Sequence, residues 1–308
     1  MAGVIMTSNH PKDLWPGVKA HWGREYDQHG VEYTDLFDVE TSDQAYEEYV
    51  MHTPFGLAPI KPQGKPAEYD TEVQGYVTRL INVAYALGYI VTHEEIKDNL
   101  YMQASKTRAP SLARGFRQTK ERVHANVYNN GFTNTAPYLG ADGVSLFSLL
   151  HPNVSGGTYS NRLTVDADLS EAALEDMLVQ IMQALDDRGL LINLMPKSLH
   201  IAPAQWFEAN RILKSVYTPQ SSGNAINVLH ATNALPDGIK LNHYFTAPNA
   251  WFVRTNVARG KGMVSLEREA ISFVQDNDFD TKNAKAMGYE RYTCGAVDPR
   301  AVFGSNGP

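Results

Sequence analysis

Asp278-Phe279-Asp280-Thr281-Lys282-Asn283-Ala284-Lys285-Ala286-Met287-Gly288-Tyr289-Glu290-Arg291-Tyr292-Thr293-Cys294-Gly295-Ala296-Val297-Asp298-Pro299-Arg300-Ala301-Val302-Phe303-Gly304-Ser305 is the stretch on which the fold turns. A turn rich in acids leads into a strand-like run. Gly295 breaks the run, and Asp298-Pro299-Arg300 stops it. A strand that ends so definitely is tied into a sheet. Tyr289, Arg291, Asp298, Pro299 and Arg300 mark this closing strand.

Upstream, the clearest period-two signal runs from Val73 through Val77, Ile81, Val83, Tyr85, Leu87 and Tyr89 to Val91. Unbroken, it would span roughly 60 Å, against a radius of gyration of about 19 Å for a body of this length. It must therefore leave the body or bend, with Gly75 and Gly88 as the expected bend points. Gln44–His52 is its expected partner. Pro54, Pro59, Pro62 and Pro66 mark the tip of a long ribbon, which carries Lys61 and Lys65. A two-stranded ribbon is marginal alone and needs a surface to lie on.

The segment before the ribbon is punctuated by Pro11, Pro16, Gly17, Gly23 and Gly30, yet holds Trp15, Trp22, Tyr26, Tyr33, Leu36 and Phe37. Disordered tails are poor in such rings. The expectation is an arm that packs its rings on a neighbouring chain; packing on its own body is the alternative. Residues 1–50 hold ten acids and three bases, which accounts for the whole net charge of −7. That charge reads either as a solvated tail or as an arm laid on a basic neighbour. Removing residues 1–40 is expected to leave a folded body that cannot assemble.

Thr92 and Glu95 form a capping box, so a helix starts at His93. Pro110 should interrupt it, and a second helix should run to about Asn129, with Leu112, Phe116, Val123 and Val127 on one face. Lys106, Arg108, Arg114, Arg117, Lys120 and Arg122 surround this helix against one acid, Glu121, and face phosphate, the acidic arm of a neighbour, or solvent. Ser170 caps a further helix carrying Leu174, Met177, Leu178, Ile181 and Leu185, with Gly189 as its stop. Ser198–Ala202 reads as a strand, Pro203–Leu213 as a helix, Asp237-Gly238 as a hairpin turn, and Lys240–Phe245 and Trp251–Arg254 as strands. The class is α+β.

Signatures of chemistry are weak. Gly260-Lys261-Gly262 lacks the rest of a phosphate loop. Asp276, Asp278 and Asp280 start like a calcium loop, but Thr281 and Met287 stand where glycine and glutamate belong. Ten histidines are scattered without ligand spacing. Cys294 is the only cysteine, so no intrachain disulfide forms. No apolar run reaches the length of a membrane span, and the first residues lack the pattern of a signal peptide. No enzyme and no cofactor is expected.

The ordered set of acidic aromatic arm, long ribbon, long basic helix, mixed middle and closing strand resembles the major capsid proteins of tailed bacteriophages, of the Hong Kong 97 type. The most specific parts are Phe279 to Ser305 and Leu199-His200-Ile201-Ala202-Pro203-Ala204-Gln205-Trp206. The pattern is similar to coat proteins of Mu-like and related phages. The resemblance implies an arm at 1–43 and an extended loop at 44–92. It also implies a peripheral domain with a spine helix at 93–165 and 271–308, and an axial domain at 166–270. It implies self-assembly into hexamers and pentamers, with arm and loop lapping over neighbours and the spine helix near packaged double-stranded DNA. A separate scaffolding protein, a portal and a decoration protein are the implied partners, and the virion, assembled in the host cytoplasm, is the implied place. A cellular encapsulating compartment is the alternative shell, and a hydrolase built from scattered His and Asp the remote one.

Overall fold

The computed structural model describes residues 30–98, 101–217, 225–278 and 280–307. Trp15, Trp22 and Tyr26 lie outside the described residues.

Strand β11, Ala284–Ala296, is the axis of the first sheet. Its alternation buries Ala284, Ala286, Gly288, Glu290 and Tyr292 on one face and leaves Tyr289 and Arg291 half-buried on the other. On one side it pairs antiparallel with β10, Met263–Asn277; on the other it pairs antiparallel with β4, Val83–Val91. Strand β1, Asp38–Thr41, joins parallel at the β10 edge. After the short helices α1, Tyr33–Leu36, and α2, His93–Lys97, helix α3, Tyr101–Asn129, covers the inward face of this sheet. Leu112, Ala113 and Phe116 pack there on Val91, Ala284 and Ala286. Each large side chain so buried stabilises the layer by roughly 1.5–3 kcal/mol. The helix runs straight through Pro110 rather than stopping at it. One lost backbone hydrogen bond is outweighed by buried Ala109, Leu112 and Ala113 on either side of the proline.

A second sheet has the order β12-β9-β7-β8: Val302–Ser305, Trp251–Thr255, Pro196–Ile201 and Gly238–Leu241. Helix α4, Glu171–Met182, buries Leu174, Met177, Leu178 and Ile181 against it. The Ser170 hydroxyl accepts the Ala173 N–H at the start of this helix, as expected. The helix ends at Met182, seven residues before Gly189, and Leu185 is exposed and bridges to Leu191 instead. Helix α5, Trp206–Lys214, follows a 3-10 turn at Pro203–Gln205. Asp237-Gly238 does not turn a hairpin. Gly238 opens β8, which pairs parallel with β7, while β9 pairs antiparallel on the other side of β7.

The two sheets meet over a second core of Phe37, Tyr128, Phe147, Phe252 and Val302. The chain crosses between them at its close. Asp298 accepts the Arg300 N–H at 2.9 Å, Pro299 opens a 3-10 turn, and β12 then pairs with β9 in the second sheet. The closing stretch thus serves both sheets, whereas residues 271–308 were expected in the peripheral unit alone.

The ribbon is β2, Tyr46–His52, paired antiparallel with β3, Gln74–Ile81. It stops earlier than the period-two pattern suggests, because β4 belongs to the first sheet. The break falls at Asn82, not at Gly75 or Gly88. The Asn82 amide donates to the Ser42 hydroxyl and to the Gln44 carbonyl, both at 2.9 Å, which turns the chain from ribbon to sheet. Gly88 serves close approach: a Cβ there would stand 2.7 Å from the Ala286 carbonyl oxygen.

Residues 30–50 carry seven of the ten acids and no base, and they lie on this chain's own bases. Asp35 meets Lys240 at 3.0 Å, Asp38 meets Arg254 at 3.2 Å, and Glu48 meets Arg79 at 2.5 Å. The expected seating of this acidity on a neighbour is corrected for Asp35, Asp38 and Glu48, for which this chain itself supplies the counter-charge. Tyr33 and Phe37, expected to bury on another copy, are buried here. Both rings sit beside His124, and Phe37 stands edge-on to Tyr128.

Candidate assembly surfaces

The ribbon projects a tip, residues 53–73, without regular structure. Pro59, Lys61, Pro62 and Lys65 are all exposed. So are the apolar side chains: Leu57 is 80%, Ile60 95% and Tyr69 93% accessible. The prolines stiffen the loop and remove backbone donors, so the tip has no means of folding its own apolar groups inward. Three large apolar groups displayed at one end of a projection mark a contact surface.

A second apolar group lies beyond α5. Val216, Tyr217, Ile226 and Val228 are exposed there, with Tyr217 bridged to Ile226, and Phe207 in the first turn of α5 is 78% accessible. A cleft of about 880 Å³ runs between the ribbon, α3 and the end of β11, walled by Tyr49, Thr78, Tyr85, Val127, Tyr138 and Arg300.

The basic helix divides into two faces. Arg114 and Arg122 are exposed, but Arg117 and Lys120 are only 7% and 3% accessible. The expectation that all four face outward is therefore corrected for Arg117 and Lys120. The signal was present: Lys120 follows Leu112 and Phe116 at steps of four, so it shares their inward stripe. The Lys120 ammonium sits 2.8 Å from Glu267 and 3.8 Å from Glu290, between the rings of Tyr33 and Tyr292. Burial pushes the Glu290 carboxyl up to about 7, although Lys120 pulls the other way. Neither Glu290 oxygen has a hydrogen-bond partner.

Glu121, fully buried, accepts the backbone N–H groups of Glu32 and Tyr33 at 3.1 and 2.9 Å. Burial raises its carboxyl to about 6. One turn on, His124 Nδ1 donates to the Lys120 carbonyl, and Nε2 accepts from the Ser265 hydroxyl, both at 2.7 Å. Burial holds this ring down to about 4, so it is neutral at pH 7. This polar layer anchors residues 32–37 to the helix. The sequence reading missed it, because its members come from α3, β10 and β11.

Asp298, Pro299 and Arg300 follow the end of β11 at Ala296; Arg300 is buried and the other two are half-buried. The Arg300 guanidinium stacks 3.8 Å from the Tyr159 ring centre, and donates to the carbonyl of Leu185 and to Asn153. Asp276 lies at the end of β10, and Lys285 pairs with Asp278 just beyond it at 2.8 Å. Among the described residues, no group of three His, Cys, Asp or Glu side chains is placed to hold a metal ion, and no helix is long and apolar enough to cross a membrane.

A two-stranded ribbon, a long helix across a four-stranded sheet and a second sheet-and-helix unit make up an α+β fold that other solved structures share. The chain resembles a virus-like particle from Pyrococcus furiosus at a TM-score of 0.56 and 10% identity, covering 95% of this chain and 99% of that one. It also resembles the capsid of Myoviridae phage XM1 (TM-score 0.52, 10% identity, 100% of both chains). A third match is the holo-SrpI encapsulin complex from Synechococcus elongatus (TM-score 0.51, 10% identity, 89% and 86% covered). No curated protein sequence matches the chain. Residues 82–304 match the model of a family described as phage capsid protein, and the chain belongs to that family. It is a structural subunit of a virion capsid and not an enzyme.

Proposed function

We propose that the chain is the major head subunit of a tailed phage, assembling as hexamers and pentamers into an icosahedral shell around double-stranded DNA. The observation that carries this reading is the ribbon tip, whose apolar groups find no cover on their own body. Burying Leu57, Ile60 and Tyr69 on a second copy would contribute roughly 1.5–3 kcal/mol each before the cost of association. The exposed apolar side chains after α5, Val216, Tyr217, Ile226 and Val228, would supply a second contact between copies. Arg114 and Arg122 are exposed bases on α3, and their contact with DNA would be nonspecific. A separate scaffolding protein, a portal and a decoration protein would complete the head, with assembly in the host cytoplasm. In domain terms, the ribbon spans 44–81, the first sheet with α3 forms the peripheral unit, and the second sheet with α4 and α5 forms the axial unit.

The test is expression of the chain, followed by negative-stain imaging and sedimentation. Closed particles with the size distribution of an icosahedral shell support the reading. A chain that stays monomeric at high concentration, even with its co-expressed head proteins, defeats it. The likeness to an encapsulin favours one second reading, a cellular compartment, and the contents of purified particles decide: nucleic acid for the head, an enclosed enzyme for the compartment.

A further inference from the structure

The ribbon is not free along its length. At its base Asn82 fixes it to Ser42 and Gln44, and Leu80 packs on Val264 and Leu266. At its far end, where the tip begins, it touches the body a second time. Arg188 donates from Nη1 to the Asp70 carboxylate and from Nη2 to the Thr71 carbonyl, both at 2.6 Å. The same Asp70 oxygen accepts the Gly56 N–H at 2.8 Å, so one guanidinium gathers both legs of the tip.

The turn that presents Arg188 is built for the purpose. Asp186 accepts the backbone N–H groups of Arg188 and Leu190, both at 2.8 Å, and Gly189 takes φ +80°. The neighbouring Asp187 carboxylate accepts the N–H groups of Val154 and Ser155, and Val154 lies against Gly75 on β3. Between the two anchor points lies the cleft described above, so the ribbon is a beam held at both ends. With the far anchor closed, Leu57, Ile60 and Tyr69 stay exposed. A contact meant to restrain the tip would cover them.

We infer that Arg188 is a positioning residue for assembly: it props the ribbon at a fixed angle, so that the apolar tip meets a second copy without first being ordered. This rests on the proposed function, in which the tip docks on another copy. Preorganisation of this kind lowers the cost of association without adding a contact. The pair is partly exposed, at 24% and 43% for the two side chains, so its worth is that of a surface pair with good geometry.

The experiment compares wild type with Arg188→Ala, Asp70→Asn and the exchanged pair Arg188→Asp/Asp70→Arg. It measures the critical concentration for particle formation by light scattering and the particle diameter by electron microscopy. Arg188→Ala and Asp70→Asn are expected to raise the critical concentration about fivefold and to broaden the diameters. The exchanged pair should recover part of both. Chymotrypsin should cut the unassembled Arg188→Ala subunit at Phe55, Leu57 and Tyr69 faster than wild type, while the melting temperature stays the same. Asp70 lies on the exposed tip, so its variant folds even if Arg188→Ala does not. An unchanged or lowered critical concentration in a folded variant overturns the inference. Failure of the wild type to form particles overturns the proposed function instead.

Discussion

Replacing Glu290 with Gln should make the unassembled subunit more stable at pH 8 and flatten its response to pH. Glu290 is fully buried on the inward face of β11, with the Lys120 ammonium 3.8 Å away. Burial lifts its carboxyl from an ordinary 4.5 to about 7 on folding, so the folded chain binds the proton more tightly than the unfolded one. The stability linked to this group is therefore complete below pH 4.5 and is lost as pH rises through 7. A rise of that size corresponds to about 3 kcal/mol in all, of which about 1 kcal/mol falls between pH 6 and pH 8. Glutamine keeps the shape and removes the buried charge, while Lys120 keeps Glu267 at 2.8 Å. Urea unfolding of both proteins, followed by tryptophan fluorescence at pH 6 and pH 8, measures the difference. The wild type should lose about 1 kcal/mol between the two, and the variant much less. At pH 8 the variant should be the more stable by up to about 3 kcal/mol. If Glu290→Gln loses more than about 1 kcal/mol at pH 8, or keeps the wild-type slope, the Glu290–Lys120 contact is a net stabilising ion pair and the reasoning fails.

Leu57→Asp with Ile60→Asp should change subunit stability by less than about 0.5 kcal/mol yet abolish particles; paired denaturation and imaging check this. Gly288→Ala places a Cβ 2.4 Å from Phe116, so it should cost about 1–3 kcal/mol in thermal or urea unfolding by pushing α3 off the sheet. Ser170→Ala removes the cap of α4 and should cost about 1 kcal/mol by the same measurement. Deleting residues 30–41 as well as those before them should give an unfolded or aggregated chain, because Leu36, Phe37 and β1 are core; a soluble, cooperatively melting product would refute this.

The elements with strong local signals were legible in the sequence. The period of β4, the Ser170 cap, the Thr92 cap and the proline-rich tip all depend on neighbours within a turn or two. What escaped depends on contacts distant in the chain. Pro110 breaks isolated helices, yet α3 is held on both sides of it by the sheet. Nothing near Asp237-Gly238 shows that β8 pairs parallel with β7, since that register is set by a strand some forty residues earlier. Arg117 and Lys120 read as part of a basic surface because the acids that face them, Glu267 and Glu290, lie far along the chain. Tyr33 and Phe37 were assigned to a neighbour because their receiving surface, around His124 and Tyr128, forms only when α3 and β10 meet.

The passage from β11 to β12 has a mechanical meaning. One continuous thread is stitched through both layers, and the Arg300 guanidinium sits at the stitch like a rivet between Tyr159, Leu185 and Asn153. The thread cannot straighten at its crossing without drawing that cation out of its seat. A tile so fastened is stiff across its middle. Copies set into flatter and sharper parts of a curved wall must therefore absorb the difference at their seams.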